Sequence, residues 1–170
     1  MLRIYIFFLP FWLLKGKAFL KQKIAQSTSF NPEALPYNTE LLTWLNQQKA
    51  TGASLVLCTA SDQTIANAIA KHLQIFDQVI ASNGVVNLAG KNKALRLQEI
   101  FGNLSFDYAG NSQVDMQVWQ HAQNCIVVNA KNSVLERAQK QFNVSKIIFA
   151  RKNSFKHYIK AIRVHQWLKN

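Results

Sequence analysis

Four side chains in this sequence stand where their types could handle an anion or a metal: Thr59, Lys93, Asn111 and Asp115. Thr59 follows the apolar run 55–58. A hydroxyl there could donate to a phosphate oxygen, or simply cap the end of a strand. Lys93 lies in the first turn of a helix written "GKNKALRLQEIF", with Lys91 and Arg96 crowding the same amino end. The helix macrodipole disfavours cations there by roughly a few tenths of a kcal/mol each. Cations set against the dipole suggest an anion to hold or a carboxylate to neutralise; the plainer alternative is a solvated basic patch. In "FDYAGNSQVDMQVW" an apolar run ends in Gly-Asn-Ser, and a lone carboxylate follows at Asp115. An amide and a carboxylate at a strand end can ligate Mg²⁺, which takes oxygen ligands and keeps several waters. Read more simply, they are a turn asparagine and a helix-capping aspartate.

The elements that must position these groups alternate along the chain. "ASLVLCT" is a short continuous apolar run, as in a parallel strand covered on both faces. Ser61 or Asp62 caps the helix "TIANAIAKHL", "FDQVIAS" is the next strand, and Asn83-Gly84 is a turn. A helix over 91–101, the strand "SFDYAG" and a helix over 113–121 come next. The strand "CIVVNA", the helix "SVLERAQKQF", the strand "KIIFAR" and a basic terminal helix follow. Upstream, Asn38 caps a helix to about residue 49 with Leu41, Leu42, Trp44 and Leu45 as its apolar stripe, closed by Gly52. "STSFNPEALP" is a loop. Residues 11–25 read as a helix with one lysine-rich side. The opening "MLRIYIFFLPFWLL" is interrupted by Pro10 and, at fourteen residues, is too short to span a bilayer. It reads as a buried or interfacial helix. Strands alternating with helices predict an α/β, Rossmann-like parallel sheet with helices on both faces. Open sheets of this kind place their chemistry at the carboxyl ends of the strands.

One hundred and seventy residues suit one domain. Cys58 and Cys125 both sit in apolar surroundings, which suits a reduced, cytosolic compartment rather than a disulfide framework. The sequons at Asn103 and Asn143 are then incidental. The formal charge of +12 is confined to the ends: residues 1–32 carry five cations and no acid, residues 146–170 carry seven and no acid, and the centre is balanced. Basic arms on a neutral centre fit an anionic surface, lipid or nucleic acid. His157, Tyr158 and Trp167 lie among the terminal cations, but no sequence-reading motif accompanies them, so lipid is the expected partner and nucleic acid is not. His121 and Cys125 are spaced across a helix–strand junction that does not align them as metal ligands, and His72 is a helix-end residue.

Taken in order, a strand ending in Thr59, Lys93 opening a helix, and Gly110-Asn111-Ser112-x-x-Asp115 after another strand resemble the haloacid dehalogenase-like phosphohydrolases. "LPYNTELLTWL", "LVLCTASDQTIANAIAKHL", "FDQVIASNGVVNLAGKNKA" and "FDYAGNSQVD" are similar to one branch, the domain found amino-terminal to UbiA-type membrane prenyltransferases. The terminal "IRVHQWLKN" resembles the approach to that transferase's first membrane helix, with Val164 where the family favours Pro. The resemblance covers about residues 7–170. It implies phosphate held at Thr59, Ala60 and Lys93, charge neutralisation by Lys93, Mg²⁺ ligands at Asn111 and Asp115, and a small phosphorylated or prenyl-phosphate substrate. It also implies a helical cap over residues 1–50, an α/β core over 51–150, and a basic helix over 151–170 leading toward a membrane domain.

Departures from the family temper what it implies. Its chemistry begins with Asp-x-Asp-Gly-Thr after the first strand, the first Asp attacking phosphorus and the second serving as general acid/base. No Asp precedes Asp62 here, and covalent catalysis by a carboxylate needs the carboxylate. Asn111 replaces an acidic ligand, and Asn83 stands where relatives often carry Asp. The expectation is therefore a module truncated at both ends, its first strand missing, Mg²⁺ binding weak or lost, and phosphate-ester turnover absent. An in-frame nucleophile motif upstream would make it an enzyme; otherwise it is a non-enzymatic binding or assembly domain beside the membrane. A missing central strand would also expose a sheet edge beside "LVLCT" and favour dimers.

Overall fold

The computed structural model describes residues 4–7 (backbone), 31–82, 88–102 and 104–149. Six parallel strands form one sheet: β1 Ile4–Phe7, β2 Ser54–Asp62, β3 Gln78–Ser82, β4 Phe106–Gly110, β5 Asn124–Val128 and β6 Val144–Ile148, in the order β3-β2-β1-β4-β5-β6. Among the described residues, five helices connect or flank them: α1 Thr39–Ala50, α2 Gln63–Leu73, α3 Lys91–Phe101, α4 Met116–Trp119 and α5 Asn132–Gln141.

The strand alternation sorts the core. Val56, Cys58, Phe106, Tyr108, Cys125 and Val127 face the side covered by α3, α4 and α5. On the other side Leu55, Ala109, Ile126 and Val128 pack with Leu41 and Leu45 of α1, and Leu57 and Ala81 with Ala66 and Ile69 of α2. Both faces being covered, the strands carry continuous apolar runs.

The local signals hold where the chain supplies a cap. The Asn38 side chain accepts from the Leu41 N–H at 3.1 Å and starts α1. Asp62 accepts from the Thr64 N–H at 2.9 Å and starts α2, which settles the choice between Ser61 and Asp62. The helix expected over 113–121 is instead a 3₁₀ turn at Gln113–Asp115 running into the single turn of α4.

The principal correction concerns the amino terminus. Ile4–Phe7, expected within a helix, is a strand, and the first strand expected to be missing is present. It fills the central slot between β2 and β4, pairing Ile4 with Ser54 and Phe106 and Phe7 with Leu57 and Ala109. A short unbroken apolar run does not distinguish helix from strand by period. Ile-Tyr-Ile-Phe is β-branched and aromatic throughout, which suits a pleated buried surface, and the sheet offers it hydrogen bonds on both sides. The edge of β2 is thus covered, which removes the ground for a dimer through it. The segment 1–50, expected as a cap, supplies β1 to the sheet and α1 to the core. The helix expected over 11–25, the turn at Asn83-Gly84, Asn103 and the basic helix over 151–170 lie outside the described residues.

Candidate functional site

The strand order reverses between β1 and β4, and ligands of open α/β sheets bind outside the carboxyl ends of strands at such a switch point. Thr59 and Asn111 lie two residues beyond Leu57 and Ala109, the partners of Phe7 on either side of β1. The expected site residues from β2 and β4 therefore flank the end of β1.

Thr59 is buried, and its hydroxyl oxygen accepts from the Ser61 N–H at 3.1 Å. The pairing of β2 with β3 is irregular between Thr59 and Asp62. Ala60 sits in that irregular stretch, its carbonyl taken by the Ser82 hydroxyl at 2.9 Å, while the Ser82 oxygen accepts from the Leu88 N–H at 3.0 Å. Nothing in the sequence singles out Ser82, although it ties the end of β3 both to the loop carrying Ala60 and to the approach to α3.

Gly90 opens α3 at φ +52, a conformation costly for residues with a Cβ, and a Cβ there would also lie 3.2 Å from Val114. The amino end of α3 is thereby held against the turn after β4, and Lys93 is carried inward, 3% exposed. Its ammonium donates to the Tyr108 hydroxyl at 3.0 Å and lies 4.0 Å from Asp115 Oδ1. Of the two roles suggested by its place against the dipole, neutralising a carboxylate is the one the geometry shows. Lys93 is not part of a solvated patch; Arg96, its neighbour on the helix, pairs at the surface with Glu99.

Asp115 is also 3% exposed, and both of its oxygens are engaged. Oδ1 accepts from the Tyr108 hydroxyl at 3.0 Å. Oδ2 accepts from the backbone N–H groups of Asn111 and Ser112, each at 3.0 Å, and from the Ser112 hydroxyl at 2.7 Å. Ser112 and Asp115 together form a capping box for the 3₁₀ turn. Asn111 thus meets Asp115 through its backbone rather than its side-chain amide. Gly110 makes this approach feasible: a Cβ there would lie 2.7 Å from the Asp115 Cβ and 3.1 Å from the Trp119 ring.

Tyr108, absent from the expected site, is its centre. The ring is completely buried, the Trp119 indole N–H donates to its carbonyl at 3.1 Å, and its phenol bridges Lys93 and Asp115. Burial, and then the Asp115 charge, push its hydroxyl well above the ordinary tyrosine value, so it stays protonated and donates. The Cys58 thiol, buried on the same face of the sheet, is pushed up to about 11, chiefly by burial. The sequence signal that could have found them is period two: Cys58 and Tyr108 are core-facing positions on strands whose next residues reach the switch point.

Mg²⁺, the cofactor implied by the resemblance, does not fit these residues. It needs oxygens at about 2.0–2.1 Å in near-octahedral array. Asp115 faces four donors and an ammonium, Asn111 brings no charge, and no group of three or more His, Cys, Asp or Glu suited to a metal occurs among the described residues. His121 pairs with Gln98, and His72 stacks on Tyr37.

No protein-family profile matches the chain. The uncharacterized protein y4nM of Sinorhizobium fredii is 32% identical over 163 residues, 95% of this chain. That span is 31% of the relative, so the chain covers about a third of its length. Among solved structures, a HAD family hydrolase from Salmonella enterica serovar Typhi superposes with a TM-score of 0.64 at 14% identity, covering 95% of this chain and 72% of the other. A probable phosphoserine phosphatase from Vibrio cholerae gives 0.61 at 12%, covering 99% and 67%. A cobalt-bound deoxy-D-mannose-octulosonate 8-phosphate phosphatase from Haemophilus influenzae gives 0.57 at 13%, covering 99% and 97%. With its all-parallel sheet, helices on both faces and candidate residues at the switch point, the chain has the haloacid dehalogenase-like fold.

Proposed function

We propose that this chain is a phosphatase-type module that does not hydrolyse phosphate esters and acts as a binding or assembly domain beside a prenyltransferase at the membrane surface. The observation that carries the first half is the chain after β1. A fold of this kind places its attacking carboxylate just beyond that strand, where the sequence reads Phe8-Leu9-Pro10, and residues 1–32 contain neither Asp nor Glu. Nucleophilic catalysis by a carboxylate has no group to begin with. On this reading Thr59, Ala60 and Lys93 would form the phosphate pocket, with Thr59 and Lys93 buried and bonded to the protein itself. A phosphorylated or prenyl-phosphate compound would be a ligand there rather than a substrate.

Support for the second half comes from the resemblance and from charge. Seven cations and no acid occur from Lys146 onward. Near an anionic leaflet each is worth roughly 1 kcal/mol. No helix among the described residues is long and apolar enough to cross a membrane.

Hydrolysis of an aryl phosphate with Mg²⁺, compared with Lys93→Ala, tests the catalytic half. Equal background release from both proteins is expected. Mg²⁺-dependent turnover by the native chain, lost in the variant, would show that another group attacks phosphorus and would overturn the reading.

A further inference from the structure

The carboxylate at the expected metal end of a phosphotransfer site is fully engaged by neighbouring protein groups. An ionised carboxylate offers about four acceptor positions. Asp115 receives the Tyr108 hydroxyl, two backbone N–H groups and the Ser112 hydroxyl, with the Lys93 ammonium 4.0 Å from Oδ1. The phenol lies between the two charges, receiving a proton from Lys93 and giving one to Asp115, each at 3.0 Å. All three side chains are almost wholly removed from solvent.

We infer that Lys93, Tyr108 and Asp115 form a closed, cation-free unit in which the lysine charge, relayed through the phenol, occupies the electrostatic role of a divalent metal and fastens α3 to the turn after β4. A cation approaching Oδ1 meets the Tyr108 proton and a fixed positive charge, and one approaching Oδ2 meets three donors. Asn111 adds no charge to offset either. The unit joins elements distant in sequence, since Lys93 opens α3 while Tyr108 and Asp115 bracket the end of β4. Tyr108 is its positioning residue: it sets the spacing between the charges and holds both in the core.

This deepens the reading above, because it concerns the same site, but its test involves no turnover. The melting temperature of the full chain is measured in EDTA and in rising MgCl₂ for the native protein, Lys93→Met, Asp115→Asn and the double variant. A ligand present at about a hundred times its dissociation constant would raise the native Tm by several degrees. The expected native Tm is unchanged by Mg²⁺. Each single variant should lose several degrees in both buffers, and the double variant should lose clearly less than the two losses added, because each single change strands a buried partner.

A saturable Mg²⁺-dependent rise in the native protein, absent in Asp115→Asn, would make Asp115 a metal ligand and overturn the inference. Additive losses would also overturn it, since the residues would then not act as one unit. If a single variant fails to fold, the milder Tyr108→Phe replaces it, and calorimetric titration of the native chain with Mg²⁺ decides metal binding by itself: no heat of binding is expected, and a saturable isotherm would overturn the inference. Because no arm measures hydrolysis, a phosphatase that binds no Mg²⁺ and a metal-binding protein without activity remain distinguishable.

Discussion

Replacing Gly110 by alanine tests whether the switch-point turn is as tightly built as its geometry requires. The added methyl would stand 2.7 Å from the Asp115 Cβ, 2.9 Å from its Cγ and 3.1 Å from the Trp119 ring. None of these is a loose side-chain end. Asp115 is fixed by four hydrogen bonds, and Trp119 is 1% exposed with its indole N–H on the Tyr108 carbonyl. Overpacking a well-filled core costs about 1–3 kcal/mol, and moving Asp115 weakens charge-assisted hydrogen bonds worth about 1.5–3 kcal/mol each. Partial relaxation of both leaves an expected loss of about 3 kcal/mol. For a domain of this size that is a fall in Tm of roughly 6–12 °C. Urea unfolding followed by circular dichroism should show a lower midpoint at unchanged slope, which marks a change in stability rather than in the unfolded state. A change within about 0.5 kcal/mol, the range of an uninvolved surface site, would refute the claim that Asp115 and Trp119 are pinned.

Two further outcomes follow from charge. The Cys58 thiol is raised from 9.0 to about 11 in the folded protein, chiefly by burial. The unfolded thiol ionises first as pH rises, so this contribution is complete below pH 9 and lost progressively toward about pH 11. Urea midpoints over that range should show a descending limb that is shallower in Cys58→Ala, the remainder coming from Cys125, whose thiol is pushed up to about 12; identical profiles would mean that the Cys58 thiol is not shielded. For the membrane reading, the full chain should co-sediment with phosphatidylserine-containing vesicles in low salt and release as ionic strength shortens the screening length. Equal binding to neutral vesicles, or none to anionic ones, would remove that reading.

Most of the described elements between residues 54 and 148 are legible in the sequence because their signals are local; the exception is 113–121, where the expected helix is a 3₁₀ turn and one turn of α-helix. Apolar runs of four to six residues alternate with helices, one of them started by the Asp62 side chain, and each is decided within a few positions. Asn38 and Asp62 cap where their side chains suggest, and α3 runs from Lys91 to Phe101 as its pattern predicts. Ile4–Phe7 departs from its expected helix because nothing local decides it. Its strand character comes from β2 and β4, whose open slot exists only in the assembled sheet. The site is legible in part for the same reason. Thr59, Lys93, Asn111 and Asp115 stand out by residue type at element ends; Lys93 and the Asn111 backbone meet Asp115, while Thr59 lies on the other side of β1 and bonds to Ser61. Period two places Tyr108 on a core face, but neither the reach of its hydroxyl nor the close approach at Gly110 is written in spacing. One is a core-facing tyrosine whose hydroxyl happens to reach two charges; the other is a glycine whose value is the space it leaves.

If the chain does not turn over phosphate, as proposed, the buried unit gives Lys93 and Asp115 a reason to persist. Breaking a buried charge pair by removing one partner costs about 3–5 kcal/mol, while exchanging both for matched apolar groups is often neutral. Lys93 and Asp115 are each 3% exposed and joined through Tyr108. Any single substitution at either therefore strands a charge in the core of a domain whose whole stability is on the order of 5–15 kcal/mol. The position after β1 is under no such constraint, because a carboxylate lost there leaves no partner within this unit, and neither does an acid exchanged for Asn111. A chain released from turning over phosphate would thus shed its nucleophile and outer metal ligand readily while keeping its lysine and inner aspartate for folding. Given the proposed loss of turnover, the Lys93–Asp115 pair is expected to be kept for folding, and the double-variant melting experiment tests that expectation.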